Sequence, residues 1–86
     1  MLTTTEISEK VRSVLAEELK VGVEELQPEK RIAEDLGADS IQRIELVMKL
    51  EEAFGVKITD DESVGLVTIQ DTINYVQKYL SDNSKG

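Results

Sequence analysis

The chain contains no histidine and no cysteine, and these two absences exclude much of the usual chemistry of catalysis. Without cysteine, the chain can form neither a disulfide nor a thiolate metal site. Without histidine, a serine nucleophile lacks its usual proton acceptor. Carboxylates, lysines, tyrosines and hydroxyl groups remain, and no arrangement of them in the sequence indicates an active site. We therefore expect a protein that is not an enzyme.

Aromatic residues, proline and long apolar runs are also scarce. Aromatic residues make up 3% of the chain, and Pro28 is its single proline. The 40% of apolar residues therefore predicts one modest core of leucine, isoleucine and valine. No apolar run approaches the length that crosses a membrane, and the first residues do not form a basic, apolar leader. We expect a cytoplasmic protein that does not insert into membranes.

Basic residues are outnumbered, since 10 lysines and arginines face 18 acidic residues and the net charge is −8. Nucleic acids and anionic membranes would repel such a chain, whereas basic patches on other proteins would attract it. We expect no nucleic-acid partner. A length of 86 residues is enough for one small domain, which we expect to be a monomer.

Apolar residues at helical spacing and helix-start signals predict four helices. The first should run over about residues 4–20, after a capping box of Thr3 and Glu6, with Gly22 beyond its end. The second should begin at Asp39, with Gln42 as a capping-box partner, and the last should begin after Thr68. The sequence predicts an all-α four-helix bundle with a long loop at 21–38, a short third helix at about 60–67, a domain over 1–80 and a polar tail over 81–86.

The second helix separates into two faces when it is projected at 100° per residue. One face should pack in the core, and it consists of Leu46, Val47, Leu50 and Phe54. The opposite face has an apolar centre with an acidic rim, which is typical of a docking surface. The docking face, as we call it from here, consists of Ile41, Ile44, Glu45, Met48, Glu51 and Glu52.

Ser40 stands at the first turn of this second helix, directly after Asp39. The first turn of a helix has unpaired backbone N–H groups and the positive end of the helix dipole, and a phosphate is well suited to that position. Ser40 is therefore a candidate for the attachment of a group through a phosphate. From spacing alone, a serine at a helix start without any chemistry is the favoured interpretation.

A longer string around Ser40 resembles a known family. Leu36-Gly37-Ala38-Asp39-Ser40-Ile41, followed by Ile44-Glu45-Leu46-Val47-Met48 and Leu50-Glu51-Glu52, is similar to the acyl carrier proteins of dissociated (type II) fatty-acid synthases, and the similarity extends over about residues 5–80. The resemblance implies that Ser40, after Asp39, carries a 4′-phosphopantetheine from coenzyme A, with an acyl group on its thiol. It also implies a phosphopantetheinyl transferase and acyl-transferring, condensing or reducing enzymes as partners, which dock along the second helix.

The chain departs from this family in two places. Ser40 is followed by Ile41, Gln42 and Arg43 instead of leucine, aspartate and a small or neutral residue, and Val64 stands where the third helix of the family has an acid. These departures favour an alternative function as a dedicated carrier for a polyketide, aminoacyl or specialised lipid pathway. An acidic helical adaptor without a prosthetic group is a third hypothesis, from a different class.

Three consecutive acids at residues 60–62 are a candidate site for a hard cation such as Ca²⁺ or Mg²⁺. The spacing of an EF-hand is absent from the sequence. The same acids would also stabilise the start of a helix through its dipole. We favour this second interpretation and expect no metal site.

Overall fold

The computed structural model describes residues 3–83, and its secondary structure is helical apart from one isolated bridge between Arg31 and Thr68. The four helices are α1 (Thr4–Leu19), α2 (Ser40–Phe54), α3 (Asp60–Val64) and α4 (Ile69–Asn83). A single 3₁₀ turn, Val23–Glu25, lies in the long connection between α1 and α2. The predicted all-α fold with a long first connection and a short third helix is confirmed.

Three of the helices begin with the capping box that their sequence predicts. In each box a threonine hydroxyl accepts a hydrogen bond from the backbone three residues later, and the acidic side chain there accepts one from the threonine N–H. The pairs, at N–O distances of 2.9–3.1 Å, are Thr3 with Glu6, Thr59 with Glu62, and Thr68 with Asp71.

The start of α2 differs from the prediction. Asp39 caps the helix as expected, since its Oδ1 accepts from the N–H of Gln42 at 2.8 Å. The side chain of Gln42, however, donates to the backbone oxygen of Glu18 at 3.3 Å. The expected capping-box role of Gln42 is therefore wrong, and its amide instead links α2 to the end of α1.

Three helix boundaries also differ from expectation. α3 ends at Val64 and not near residue 67, because Gly65 is its C-cap. α1 ends at Leu19 because Lys20 adopts a left-handed conformation with φ 58°, so Gly22 is not the residue that ends the helix. α4 continues to Asn83. The first three residues of the polar segment 81–86 are thus the last turn of a helix, while residues 84–86 lie outside the described part of the chain.

The core is aliphatic and lies between α1, α2 and α4. Val11, Leu15, Leu50, Ile69 and Val76 have no exposed surface. On α2, the predicted inner face is confirmed, because Leu46 and Leu50 are buried while Val47 and Phe54 are partly buried against the same cluster.

The long connection is held to the core by Leu26 and Ile32, both buried. The N–H of Ile32 donates to the oxygen of Val67 at 2.9 Å, and the N–H of Ile69 donates to the oxygen of Lys30 at 3.0 Å. These bonds join the connection to the segment between α3 and α4. The connection is therefore an ordered part of the fold, although it contains little regular secondary structure.

α3 contributes no buried side chain to the core, since none of its five residues is buried. Gly65, which follows it, has φ −79° and ψ −7°, and a Cβ added there would meet the Glu62 oxygen at 3.4 Å, an ordinary contact. Alanine is compatible with this conformation and lowers the entropy of the unfolded chain. We expect Gly65→Ala to raise the free energy of unfolding by about 0.4–1 kcal/mol.

Amide hydrogen exchange and thermal unfolding provide the test. Exchange over residues 60–65 should be faster than in the other helices and should slow in Gly65→Ala. The matched control is Gly55→Ala, because Gly55 ends α2 with φ 67° and alanine there costs about 1 kcal/mol or more. Equal protection in all four helices, or destabilisation by Gly65→Ala, would contradict this prediction.

Candidate functional site

The segment before α2 places Ser40 at the surface. Gly37 turns the chain with φ 75°, and Ala38 is buried, with its N–H bonded to the oxygen of Ile32 at 3.2 Å. Asp39 then adopts an extended conformation with φ −86° and ψ −177°. Ser40, the first residue of α2, is consequently exposed but stands directly beside a buried anchor.

The first turn of α2 retains hydrogen-bond donors for a ligand. Asp39 takes the N–H groups of both Gln42 and Arg43, the first through its side chain and the second through its backbone oxygen at 2.9 Å. The N–H groups of Ser40 and Ile41 have no acceptor among residues 3–83, and neither has the hydroxyl of Ser40. Two free N–H groups at the positive end of a 15-residue helix suit a phosphate attached at this position.

A cleft of about 380 Å³ extends from Ser40 into the protein between α2 and α3. At the surface it is lined by Ser40, Ile44 and Val64, and inside by Leu50 and Thr72, which are fully buried. The Thr72 hydroxyl donates to the Thr68 oxygen at 3.1 Å, so this buried hydroxyl is already paired. The cleft can therefore admit an apolar chain from the side of Ser40 to the aliphatic core.

Polar side chains hold α3 over this cleft. The Glu51 carboxylate accepts from the N–H of Ile58 at 2.8 Å, which links α2 to the segment before α3. The Tyr75 hydroxyl, on α4, lies 2.9 Å from Glu62 Oε1 and 3.0 Å from the Lys57 oxygen. Neither link is visible in the sequence, because the partners are seven to eighteen residues apart.

These links shift two pKa values. Partial burial, with the hydrogen bond to Glu62 as the second cause, raises the pKa of Tyr75 to about 12. The pKa of Glu62 is lowered, first by the backbone N–H of Thr59 and then by the hydroxyl of Tyr75. At neutral pH the phenol is therefore a donor and the carboxylate an acceptor, which is the arrangement that keeps α3 attached to α4.

The predicted docking face is mostly exposed. Its apolar members show large exposed fractions, namely 71% for Ile41, 62% for Ile44 and 56% for Met48. Glu45 and Glu52 are exposed, and neither has an ion-pair or hydrogen-bond partner within the described residues. Glu51 differs from them, because its partly buried carboxylate is occupied by Ile58.

Val64 was not among the predicted docking residues, although it is 70% exposed. It lines the α3 side of the cleft, whereas Ile44 and Met48 line the α2 side. The apolar surface therefore continues across the mouth of the cleft from one helix to the other. The sequence signal for this was an apolar residue where the resemblance implies an acid.

The acidic surface is largely uncompensated. Within residues 3–83, Arg31 and Glu34 form the one ion pair. In the same part of the chain, no three acidic, histidine or cysteine side chains come together as metal ligands. No helix there has both the length and the apolar character of a membrane span.

Comparisons with known proteins show the family of this chain. A family model described as "Phosphopantetheine attachment site" matches residues 9–76, a range that includes Ser40 and both sides of the cleft. A curated protein described as "Acyl carrier protein", from Thermosynechococcus vestitus, is 45% identical to this chain over 80 residues. The alignment covers 93% of this chain and 99% of that protein.

Proposed function

The chain belongs to the acyl carrier proteins, and we propose that Ser40 is the residue to which its phosphopantetheine is attached. Its function is to carry acyl groups in fatty-acid biosynthesis; it is a carrier and not an enzyme. The cofactor supplies the thiol that this chain lacks. The hypothesis of an adaptor without a prosthetic group does not agree with membership of this family.

One observation carries the assignment of Ser40. It is the exposed serine hydroxyl at the start of a long helix, with two free N–H groups and a cleft beside it. The other serines in residues 3–83 lie within helices, namely Ser8, Ser13, Ser63 and Ser81. Because the chain has no histidine to take the Ser40 proton, we propose that the transferase supplies the base.

We further propose that the cleft shelters the acyl chain. Its buried lining is aliphatic, and α3, which covers it, is held by hydrogen bonds and not by buried side chains. A chain that enters the cleft would be stabilised by about 0.8 kcal/mol for each methylene that it buries. The test is the unfolding temperature of the protein loaded with acyl chains of increasing length, which should rise until the cleft is filled.

The partners are a phosphopantetheinyl transferase and the biosynthetic enzymes that use the carrier. We propose that these enzymes bring basic patches to the docking face, where Glu45 and Glu52 are free to pair with them. The exposed apolar residues then make the close contact, after the charges have guided the encounter. We propose a cytoplasmic monomer that binds no nucleic acid, in agreement with its net charge of −8.

Reversal of charge on the docking face should slow loading by the transferase. We expect the double variant Glu45→Lys, Glu52→Lys to lower the rate constant at low salt by about tenfold, because it removes the attraction that guides the encounter. High salt should reduce the difference from wild type. The rate of loading is measured by intact mass at low substrate concentration.

The matched control is the double variant Glu9→Lys, Glu29→Lys. Both glutamates are exposed and lie outside α2, and the change of net charge is the same. We expect its loading rate to remain much closer to wild type. Equal slowing of the two double variants would show that net charge, and not the docking face, controls the encounter.

A further inference from the structure

Arg43 is a cation in an unfavourable place. It belongs to the first turn of α2, where the helix dipole is positive and disfavours a positive side chain. Its backbone N–H is bonded to the Asp39 oxygen at 2.9 Å. Its side chain is partly buried, and it has neither a carboxylate at ion-pair distance nor a hydrogen-bond acceptor within residues 3–83. The fold without its prosthetic group therefore leaves this guanidinium unpaired.

The position of Arg43 relative to Ser40 provides a partner. Residues three apart on a helix are neighbours, and helical side chains lean toward the N-terminus. A guanidinium at position 43 therefore leans toward position 40. Both residues also line the mouth of the same cleft. A group attached to Ser40 would begin within reach of Arg43.

We propose that Arg43 is a positioning residue that pairs with the phosphate of the group attached to Ser40. This inference rests on the proposed attachment at Ser40. The planar guanidinium of Arg43 can donate to two phosphate oxygens at once. Such charge-assisted hydrogen bonds are stronger than those between neutral groups. The pair fixes the first atoms of the prosthetic group at the mouth of the cleft. An acyl chain carried by that group is then held close to the cleft that it would enter.

The acids nearby do not remove the need for this pair. Asp39 is occupied by Gln42, and Glu51 is occupied by Ile58. Asp60, on the α3 side of the cleft, is the remaining competitor. A phosphodiester on Ser40 is negatively charged and would be repelled by the Asp39 carboxylate. A cation in the same turn offsets this repulsion. The small or neutral residue that the resemblance implies at position 43 would not offset it.

The first measurement uses the wild-type chain alone. The ¹⁵Nε–¹Hε resonance of Arg43 is compared before and after complete loading with coenzyme A and a transferase, with loading followed by intact mass. We expect this resonance to shift on loading and its exchange with water to slow, whereas the amide signals of α4 remain unchanged. An Arg43 resonance that is identical in the two forms would overturn the proposal.

The second measurement is the ³¹P signal of the loaded protein. Release of the phosphate in Arg43→Gln should lower its transverse relaxation rate and shift its resonance, and Arg43→Lys should lie between this variant and wild type. Lys49→Gln is the matched control, since Lys49 is an exposed cation that does not line the cleft. Salt at about 1 M, where the Debye length is about 3 Å, should move wild type toward Arg43→Gln.

Two outcomes separate this inference from the attachment it rests on. If the intact mass of wild type shows no loading, or loading at another serine, the proposal for Ser40 fails. If loading at Ser40 is complete but Arg43→Gln and Lys49→Gln give the same ³¹P relaxation, only the role of Arg43 is refuted. The unfolding temperatures of the unloaded and the loaded protein give an independent check. Loading should raise the unfolding temperature of wild type more than that of Arg43→Gln.

Discussion

Ser40→Ala should abolish loading with phosphopantetheine completely and leave the fold intact. The hydroxyl of Ser40 is exposed and makes no hydrogen bond within residues 3–83, so its removal leaves no buried partner unsatisfied. Asp39 still caps α2, and alanine is the best helix former. We expect the free energy of unfolding to change by no more than about 0.5 kcal/mol.

Intact mass and urea unfolding, measured on the same preparation, test both halves of this expectation. Ser63→Ala is the matched control, because Ser63 also lines the cleft but its hydroxyl donates to the Asp60 oxygen at 2.8 Å. This control should load as wild type does. If the Ser40→Ala variant still gains the mass of phosphopantetheine, the assignment of the site is refuted.

Among the variants proposed for this protein, Leu50→Ala should lower the free energy of unfolding most. Leu50 is fully buried on α2, and it also lines the cleft. Removal of a buried leucine side chain costs about 2.7–5 kcal/mol, through lost burial and the cavity that remains. The midpoint of urea unfolding reports the loss. Ile44→Ala is the control, since Ile44 lies in the same helix but is mostly exposed and should change stability by no more than about 0.5 kcal/mol.

The same variant tests whether the cleft receives the acyl chain. A cavity at Leu50 opens into the cleft, so an acyl chain inside the protein can occupy it and recover part of the lost burial. Acylation should therefore stabilise Leu50→Ala more than it stabilises wild type. An equal gain in the two proteins would place the acyl chain outside the cleft.

The helix starts could be predicted because capping is local. Thr3, Thr59 and Thr68 each bond to an acid three residues later, and that spacing is readable in the sequence. The two faces of α2 were predicted for the same reason, since the helical period determines which side chains lie together.

The contacts of Gln42 and Glu51 and the position of α3 depend on residues that are distant in sequence. The amide of Gln42 could have bonded to its own helix start, but the end of α1 supplies the Glu18 oxygen instead. Glu51 was predicted to belong to the acidic rim of the docking face. Its carboxylate instead accepts from the N–H of Ile58, because the segment before α3 passes close to it. The cleft itself is defined by where α3 lies, and Tyr75 holds α3 from α4. No local pattern encodes these positions.

The absence of buried residues from α3 has an evolutionary consequence. Three of its five residues, Asp60, Ser63 and Val64, form part of the cleft wall, yet the core does not depend on them. Substitutions there can reshape the cleft that we propose as the shelter of the acyl chain, at little cost in folding. The gene can therefore vary its selectivity in one short segment while selection preserves the scaffold in α1, α2 and α4. Related carriers that serve different cargoes should diverge first at this helix.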